Sequence, residues 1–294
     1  MQRHRSAPPP KASANRSIAP GAAPPEEAVY VERARTLRPG LQEAAAQIEH
    51  ERRVPPHLMA TLHEAEMFRL LLPRSLGGPE VHLLTFLEVL EEIASADASP
   101  AWNLGQNAIC AVSAAYLLPE VALDIFGPRD AVLAWGQPGK GAGAVAAEGG
   151  YRVSGSFAFN SGMWHATWLG AVCPVLEADG SPRQTSNGAQ VSRVMILPAN
   201  AAEVTDAWDV IGLRGTSSDT FSIDALFVRE EYTFNREDPS EAREPGWLYC
   251  FSTTNLYSLG FASVALGVAR ALLDAFVTLA AVKKPKGVRG GLRD

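Results

Sequence analysis

From Tyr151 to Phe159 the chain alternates. Tyr151, Val153, Phe157 and Phe159 fall on one parity, and Arg152, Ser154, Ser156 and Ala158 on the other. Period two is the pattern of a half-buried strand, because successive side chains point to opposite faces of a sheet. Gly149-Gly150, just before it, reads as a hairpin turn. Similar stretches crowd the middle of the chain: AVLAW, GAVAAE, TWLGAVCPVLE, SRVMILP and TFSIDALFV, with Asp179-Gly180 as a further turn. In the last of these Ile223, Ala225 and Phe227 share one parity. Strands this dense, without helical spacers, predict a small antiparallel barrel or sandwich.

On either side the period is helical. Leu41, Ala44, Ala45 and Ile48 recur at i, i+3, i+4 and i+7. Pro55-Pro56 break and restart the pattern, which Leu58, Leu62 and Ala65 continue. Leu83, Phe86, Leu87, Leu90, Ile93 and Ala94 form another apolar stripe. Asp97 and Ser99 are candidate N-caps, with Pro100 in the first turn of the next helix. That helix is apolar nearly all round and is expected in the core. Pro119–Phe126 is short, with Gly127 just past its end. After Gly246 a long, strongly apolar helix runs to Val282, and a helix with so little polar face needs partners. The order predicts an α+β protein: a disordered lead at 1–25, a helical N-terminal domain at 26–130, a β domain at 131–245 and a helical tail at 246–294.

Composition narrows the function. The 294 residues are 47% hydrophobic, enough for a sizeable core, and carry a formal charge of -6. An acidic chain without a basic stripe is not expected to bind nucleic acid. Residues 1–25 are rich in Pro, Ala and Ser and cannot bury a core. They lack the apolar segment of a secretory signal. No apolar run is expected to span a membrane, and the chain reads as cytoplasmic. Cys110, Cys173 and Cys250 are far apart in apolar settings, as expected of buried free thiols in a reducing compartment.

Several motifs resolve to their plainer reading. Gly141-Ala142-Gly143-Ala144-Val145-Ala146 matches the dinucleotide fingerprint in letters, but a turn and strand follow instead of a helix, so a loop is the better account. His50-Glu51 and His63-Glu64 lack the second histidine of a zinc protease, and no metal site is expected. His165, between two tryptophans, reads as a packed histidine. Glu91-Glu92 reads as a solvated helix face.

Two stretches carry candidate chemistry. Asn160-Ser161-Gly162 follows two aromatic rings. Taken alone it is a strand running into a turn. Taken as a site, the rings offer a flat wall, Ser161 a hydroxyl, and Gly162 close approach to the backbone. Trp208–Val228 holds Arg214 between Gly212 and Gly215, then Thr216, Ser217 and Ser218. Such a loop is either a polar hairpin or a cationic, hydroxyl-rich rim for an anionic or carbonyl-rich ligand.

Together these stretches, GSFAFNSG at 155–162 and GLRGTSS at 212–218, resemble the acyl-CoA dehydrogenase superfamily. Within it they resemble the flavin-dependent monooxygenase branch, which includes two-component hydroxylases and dibenzothiophene monooxygenases. Pro73-Arg74-Ser75-Leu76-Gly77-Gly78 and Asp97-Ala98-Ser99-Pro100-Ala101-Trp102 also resemble family segments. The resemblance implies a helical N-terminal domain, a central antiparallel β-barrel-like domain and the start of a C-terminal helical bundle. Family members continue past residue 294, so the chain is expected to be truncated within that bundle. The implied activity is that of a flavoprotein oxidoreductase, foremost the oxygenase component of a two-component monooxygenase using reduced flavin and O2 on an aromatic or other apolar molecule. Acyl-CoA dehydrogenase activity, or an inactive fragment or binding module, are the alternatives. The cofactor is FAD or FMN, and the partners are a separate flavin reductase and, as a homotetramer, further copies of the chain. By matching positions, Trp135, Gly136, Gln137, Phe159, Ser161, Gly162, Arg214, Thr216 and Ser217 would bind flavin, Ser161 acting at its N5. Trp102, Asn103, Gln106 and Asn107 would face the substrate.

Overall fold

A computed structural model describes residues 24–283. The lead expected over 1–25, and the tail after Lys283, lie almost wholly outside them. Helix α1, Ala28–Glu51, passes through Pro39 and buries Val31, Ala34, Leu41 and Ile48. Arg52 closes it in the left-handed conformation, and Pro56 opens α2, Pro56–Glu64. Helix α3, Leu83–Ala94, buries Phe86, Val89, Leu90 and Ile93. Helix α4, Ala98–Ala111, is capped by Asp97, whose carboxylate accepts from the Ser99 N–H at 2.7 Å. Helix α5 is Pro119–Phe126. Helices α1–α4 share one core with the start of the last helix, through Leu104, Ile109, Leu256 and Val264, whereas α5 packs Val121 and Ile125 against Leu133 and Ile196 of the sheet. Glu91 and Glu92 are not the plain solvated face expected. Glu92 takes Arg35 at 2.9 Å and Arg38 at 3.0 Å, both from α1, which ties two helices across their polar rims.

The sheet holds β1 (Leu133–Pro138), β2 (Gly143–Ala147), β3 (Gly150–Ala158), β4 (Trp168–Leu176), β5 (Ser192–Pro198), β6 (Glu203–Thr205), β7 (Thr220–Arg229) and β8 (Thr233–Phe234). Their order is β6-β7-β3-β1-β4-β5-β8, with β2 pairing both β3 and β4. This corrects the expected antiparallel barrel. Among the described residues the sheet is open, ending at the short strands β6 and β8. It is also mixed, because β1 and β2 both run parallel to β4. The β2–β3 hairpin turns tightly, and Gly149 takes φ +76° there.

Two positive-φ residues override the alternation read from sequence. Tyr151, Val153 and Phe157 are buried as their parity requires, but Phe159 is 61% exposed. Its φ of +61° turns the backbone out of the strand. On β7, Val153 pairs with Leu226 and Gly155 with Ile223, so Asp224 and Ala225 together stand opposite Ser154. This β-bulge, with Ala225 at φ +48°, inverts the parity. Ile223 is buried but Phe227 is not, and Val228 takes the inner place.

Helix α6, Thr253–Val282, buries Leu256, Gly260, Ser263, Val264 and Gly267 along its first half. Its second half exposes Leu272, Leu273, Phe276 and Val277. The expectation that no segment is apolar enough to span a membrane is corrected here. An 18-residue window of α6 has mean hydropathy 1.8 and only 11% of it is buried, so by length and composition alone the helix qualifies. A large apolar face of this kind is covered by lipid or by further protein. Cys110 and Cys173 are buried thiols, whereas Cys250 is exposed, because it lies in an irregular turn before α6.

Candidate functional site

The two segments read as chemical from sequence are stitched together. The Asn160 N–H donates to the Asp219 carbonyl at 3.2 Å and the Gly162 N–H to the Thr216 carbonyl at 3.0 Å. Asn160 Nδ2 adds bonds to the Phe157 carbonyl at 2.6 Å and the Asp219 carbonyl at 3.0 Å. A cavity opens on each side of this seam.

The first cavity measures about 560 Å³, within the ~300–1,000 Å³ typical of small-molecule sites. Ser161, Thr216 and Ser218 line it, as do Phe159 and Trp208. The Phe159 ring meets the Trp208 ring edge-on, at 6.0 Å and 82°. Trp135, Gln137, Trp102 and Gln106 also face it, with Tyr257 and Phe261 from α6. Trp102 stacks on Phe261 at 4.6 Å with the rings 2° from parallel.

Three hydroxyls at the seam form a directed chain. Thr216 Oγ1 donates to the Leu213 carbonyl at 2.9 Å and lies 2.7 Å from Ser218 Oγ. Ser218 Oγ is 2.8 Å from Ser161 Oγ, which also accepts from Trp102 Nε1 at 3.0 Å. A hydroxyl has one proton and two lone pairs. Since Thr216 gives its proton to a carbonyl, all contacts are met only if Ser218 donates to Thr216 and Ser161 donates to Ser218. Ser161 then has one lone pair left and no proton to offer. Toward a ligand it is an acceptor.

Asp219 holds the rim. Its carboxylate accepts from the Ala207 and Trp208 N–H groups at 2.8 Å each and from Trp164 Nε1 at 2.6 Å. The Trp208 indole then reaches the Leu213 carbonyl at 3.0 Å. Behind the seam, Asn107 Nδ2 donates to the Ser161 carbonyl at 3.1 Å, and its Oδ1 meets His165 Nε2 at 3.1 Å. Burial pushes the His165 imidazole down to about 3, so it is neutral and Nε2–H is the donor. Burial likewise pushes the Cys110 thiol up to about 12, and its sulfur sits 3.4 Å from the Tyr257 hydroxyl.

The structure divides the residues expected at the site. Trp135, Gln137, Phe159, Ser161, Thr216, Trp102 and Gln106 share the first cavity. Gly162, Ser217 and Asn103 instead line the second cavity, and Ser217 Oγ donates to the Arg52 carbonyl. Gly136 packs under Ala158 and Asn160, where a Cβ would collide with both. Arg214 does not face the cavity. Its guanidinium is spent on the Val210 carbonyl at 2.8 Å, Asp209 at 3.1 Å and Glu49 at 3.4 Å, which fastens the loop to α1. The split on α4 follows from helix geometry. Trp102 and Gln106 are i, i+4 neighbours on one face, whereas Asn103 and Asn107 turn toward the seam. Asp219, Trp208, Tyr257 and Phe261 carry no sequence signal beyond their type. The acid directly after three hydroxyls is the one hint at Asp219.

A flavin is a planar three-ring heterocycle with polar edges. The cavity has flat aromatic walls for a three-ring heterocycle and a hydroxyl acceptor at its edge. Phe159, exposed by its own backbone, offers a ring face with no role in the core. The residues present suit such a group.

Residues 25–117 match the acyl-CoA dehydrogenase N-terminal domain. The chain is 31% identical over 217 residues to the oxygenase subunit HsaA of a flavin-dependent monooxygenase from Rhodococcus jostii, covering 74% of this chain and 54% of that protein. It is 28% identical over 256 residues to the oxygenase component of an FADH(2)-dependent resorcinol hydroxylase from Rhizobium sp., covering 84% and 61%. Among solved structures it resembles XiaF from Streptomyces sp. in complex with FADH2 and glycerol, with a TM-score of 0.80, 25% identity, and coverage of 90% of this chain and 66% of that one. The chain thus spans 54% and 61% of the lengths of these two curated relatives.

Proposed function

We propose that this chain, which carries the acyl-CoA dehydrogenase N-terminal domain and an acyl-CoA dehydrogenase-like fold, serves in the oxygenase component of a two-component flavin-dependent monooxygenase acting on a small aromatic molecule. Relatives named as oxygenase components support the reading. The observation that carries it is the directed hydroxyl chain ending at Ser161. A reduced flavin bears a proton on N5, and an oxidised one does not. A hydroxyl with its own proton engaged suits the reduced form.

When bound, reduced flavin would activate O2 and supply one oxygen atom to the substrate. The chain's own residues do the rest. Ser161 would accept a ring N–H and Phe159 would cover one ring face, while Trp135 and Gln137 border the same cavity. Trp102 and Gln106 border the substrate side. The aromatic walls would limit the access of water to the bound group, the condition under which activated oxygen is passed to the substrate. Reduced flavin would come from a separate reductase, and the chain would act as a homo-oligomer.

The test is anaerobic mixing of the purified chain with dithionite-reduced FMN or FAD, followed by air. Binding of the reduced form in preference to the oxidised, with slowed reoxidation, is the expected result. Oxidised flavin retained through purification and bleached by an acyl-CoA would overturn the proposal in favour of a dehydrogenase.

A further inference from the structure

Arg236 is 92% removed from solvent, with 8% of its surface exposed, and it lines the first cavity. Among the described residues its guanidinium has one partner, the Ile109 carbonyl, which accepts from Nη1 at 3.3 Å. Nη2 is buried with no hydrogen-bond partner among those residues. No carboxylate among the described residues lies within 4.0 Å of it. The contrast with Arg193, which lines the same cavity, is direct. Arg193 is neutralised by both oxygens of Glu241, at 2.7 and 3.1 Å, and bonds Thr233 as well. Arg236 instead sits among Cys110, Tyr116 and Tyr257, all neutral and held so by burial. A second polar atom of this cavity's lining is also unmet: Thr253 Oγ1 is buried without a partner among the described residues.

Burying a cation without a counter-charge opposes folding, and an apolar side chain of similar length would be more stable there. Arginine keeps its proton in proteins, so it cannot escape the cost by becoming neutral. The cost is offset when an anion arrives. The planar fork of a guanidinium matches two oxygens on one carbon, and the cavity around it is walled by Trp102, Trp135, Tyr257 and Phe261. We infer that Arg236 is the specificity-determining residue of this cavity, and that it selects an aromatic substrate bearing a carboxylate. The inference rests on the proposed function for the role of the bound molecule as substrate. The anion site itself does not depend on it. The flavin phosphate is the other source of the same chemistry, and the test separates the two.

Calorimetric titrations are made without flavin, using 2-naphthoate and 2-naphthamide, which share ring and shape but differ in charge. They compare the unaltered chain with Arg236→Met and Arg236→Lys. The unaltered chain is expected to bind the naphthoate about tenfold to a hundredfold more tightly than the amide, as charge-assisted hydrogen bonds do. Arg236→Met should abolish the preference and leave amide binding in place, and Arg236→Lys should keep part of it. Thermal melting of Arg236→Met should be no lower than that of the parent, which shows that lost binding is not lost folding. Equal binding of the two probes to the unaltered chain, or a preference that survives in Arg236→Met, overturns the inference. Separate titrations with FMN and riboflavin complete the test: an Arg236→Met defect for FMN that is absent for riboflavin also overturns the inference, because it assigns the residue to the flavin phosphate. Failure of the proposed function would show elsewhere, as absent binding of reduced flavin in a chain that still selects the naphthoate.

Discussion

The Ser161 and Ser218 hydroxyl oxygens stand 2.8 Å apart, although 57 residues separate them in the chain. Their contact joins two stretches, one ending a strand and one preceding a strand, into a single polar edge beneath aromatic walls. The direction of the protons along it, from Ser161 through Ser218 to Thr216, makes Ser161 an acceptor. Ser218→Ala frees the Ser161 proton and should weaken binding of reduced flavin by about 1 kcal/mol, roughly fivefold, with little change for oxidised flavin. Ser161→Ala should weaken it at least as much. Anaerobic fluorescence titration reads both, and an unchanged ratio of the two affinities in Ser218→Ala would refute the proton order.

Asp219 is the acceptor for three N–H donors, from Ala207, Trp208 and Trp164. In Asp219→Asn one side-chain oxygen becomes an NH2 group, which must face a donor. We expect a loss of about 2–3 kcal/mol in urea denaturation. Trp208 should also become more exposed to a soluble fluorescence quencher. A variant as stable as the parent would mean that the rim is held by other contacts.

Gly162 takes φ +76°, and an added Cβ would fall on Asn107 Oδ1 and His165 Nε2. Backbone strain and collision act together at this point. Gly162→Ala should cost about 1–3 kcal/mol and disorganise the Ser161 turn. Lowered melting temperature together with lost flavin binding is the expected pair of results, and normal binding would show that the turn adapts.

His165 sets a pH dependence. Its folded imidazole is held down to about 3 by burial, against an ordinary value of 6.5. Below pH 6.5 the unfolded chain takes up a proton that the folded chain refuses. The stabilisation is therefore complete above pH 6.5 and declines as pH falls, by up to ~1.4 kcal/mol per unit. The His63 imidazole, also lowered by burial, acts with the same sign. Asp97 acts oppositely, because burial raises its carboxyl to about 6 and the folded state then gains between about 6 and 3.8. Comparison with His165→Gln isolates the histidine. The parent should lose melting temperature more steeply than the variant between pH 6.5 and 5, and parallel curves would count against a neutral, half-buried His165.

The second half of α6 presents Leu272, Leu273, Phe276 and Val277 to solvent. The double change Leu272→Glu with Phe276→Lys should reduce self-association, measured by light scattering after size exclusion, without lowering the melting temperature. An unaltered mass distribution would show that this face does not drive association.

Much of the fold was legible because local periodicity reflects burial. The stripe of α3 and the alternation of β3 each follow from which side chains leave water, and Asp97 is an N-cap by its chemistry alone. The site was legible where small polar residues interrupt that pattern, at Asn160-Ser161-Gly162 and at Thr216-Ser217-Ser218. What was missed depends on backbone conformations that no alternation records. Phe159 and Ala225, both at positive φ, reverse the faces that parity assigns. Arg214 reads in sequence as a cation open to a ligand, but the folded loop pairs it with Asp209 five residues earlier, and the packing of α1 brings Glu49 alongside.

The sequence by itself determined the succession of helices, strands and a final apolar helix, and the hydroxyls and aromatics available for chemistry. These are properties of residues and their near neighbours. Only the tertiary structure decided that, among the described residues, the sheet stays open and mixed, that Ser161 meets Ser218, and that Arg236 is buried in the cavity with no carboxylate within 4.0 Å. Each of those depends on groups far apart in the chain, whose pairing is set by how whole elements pack.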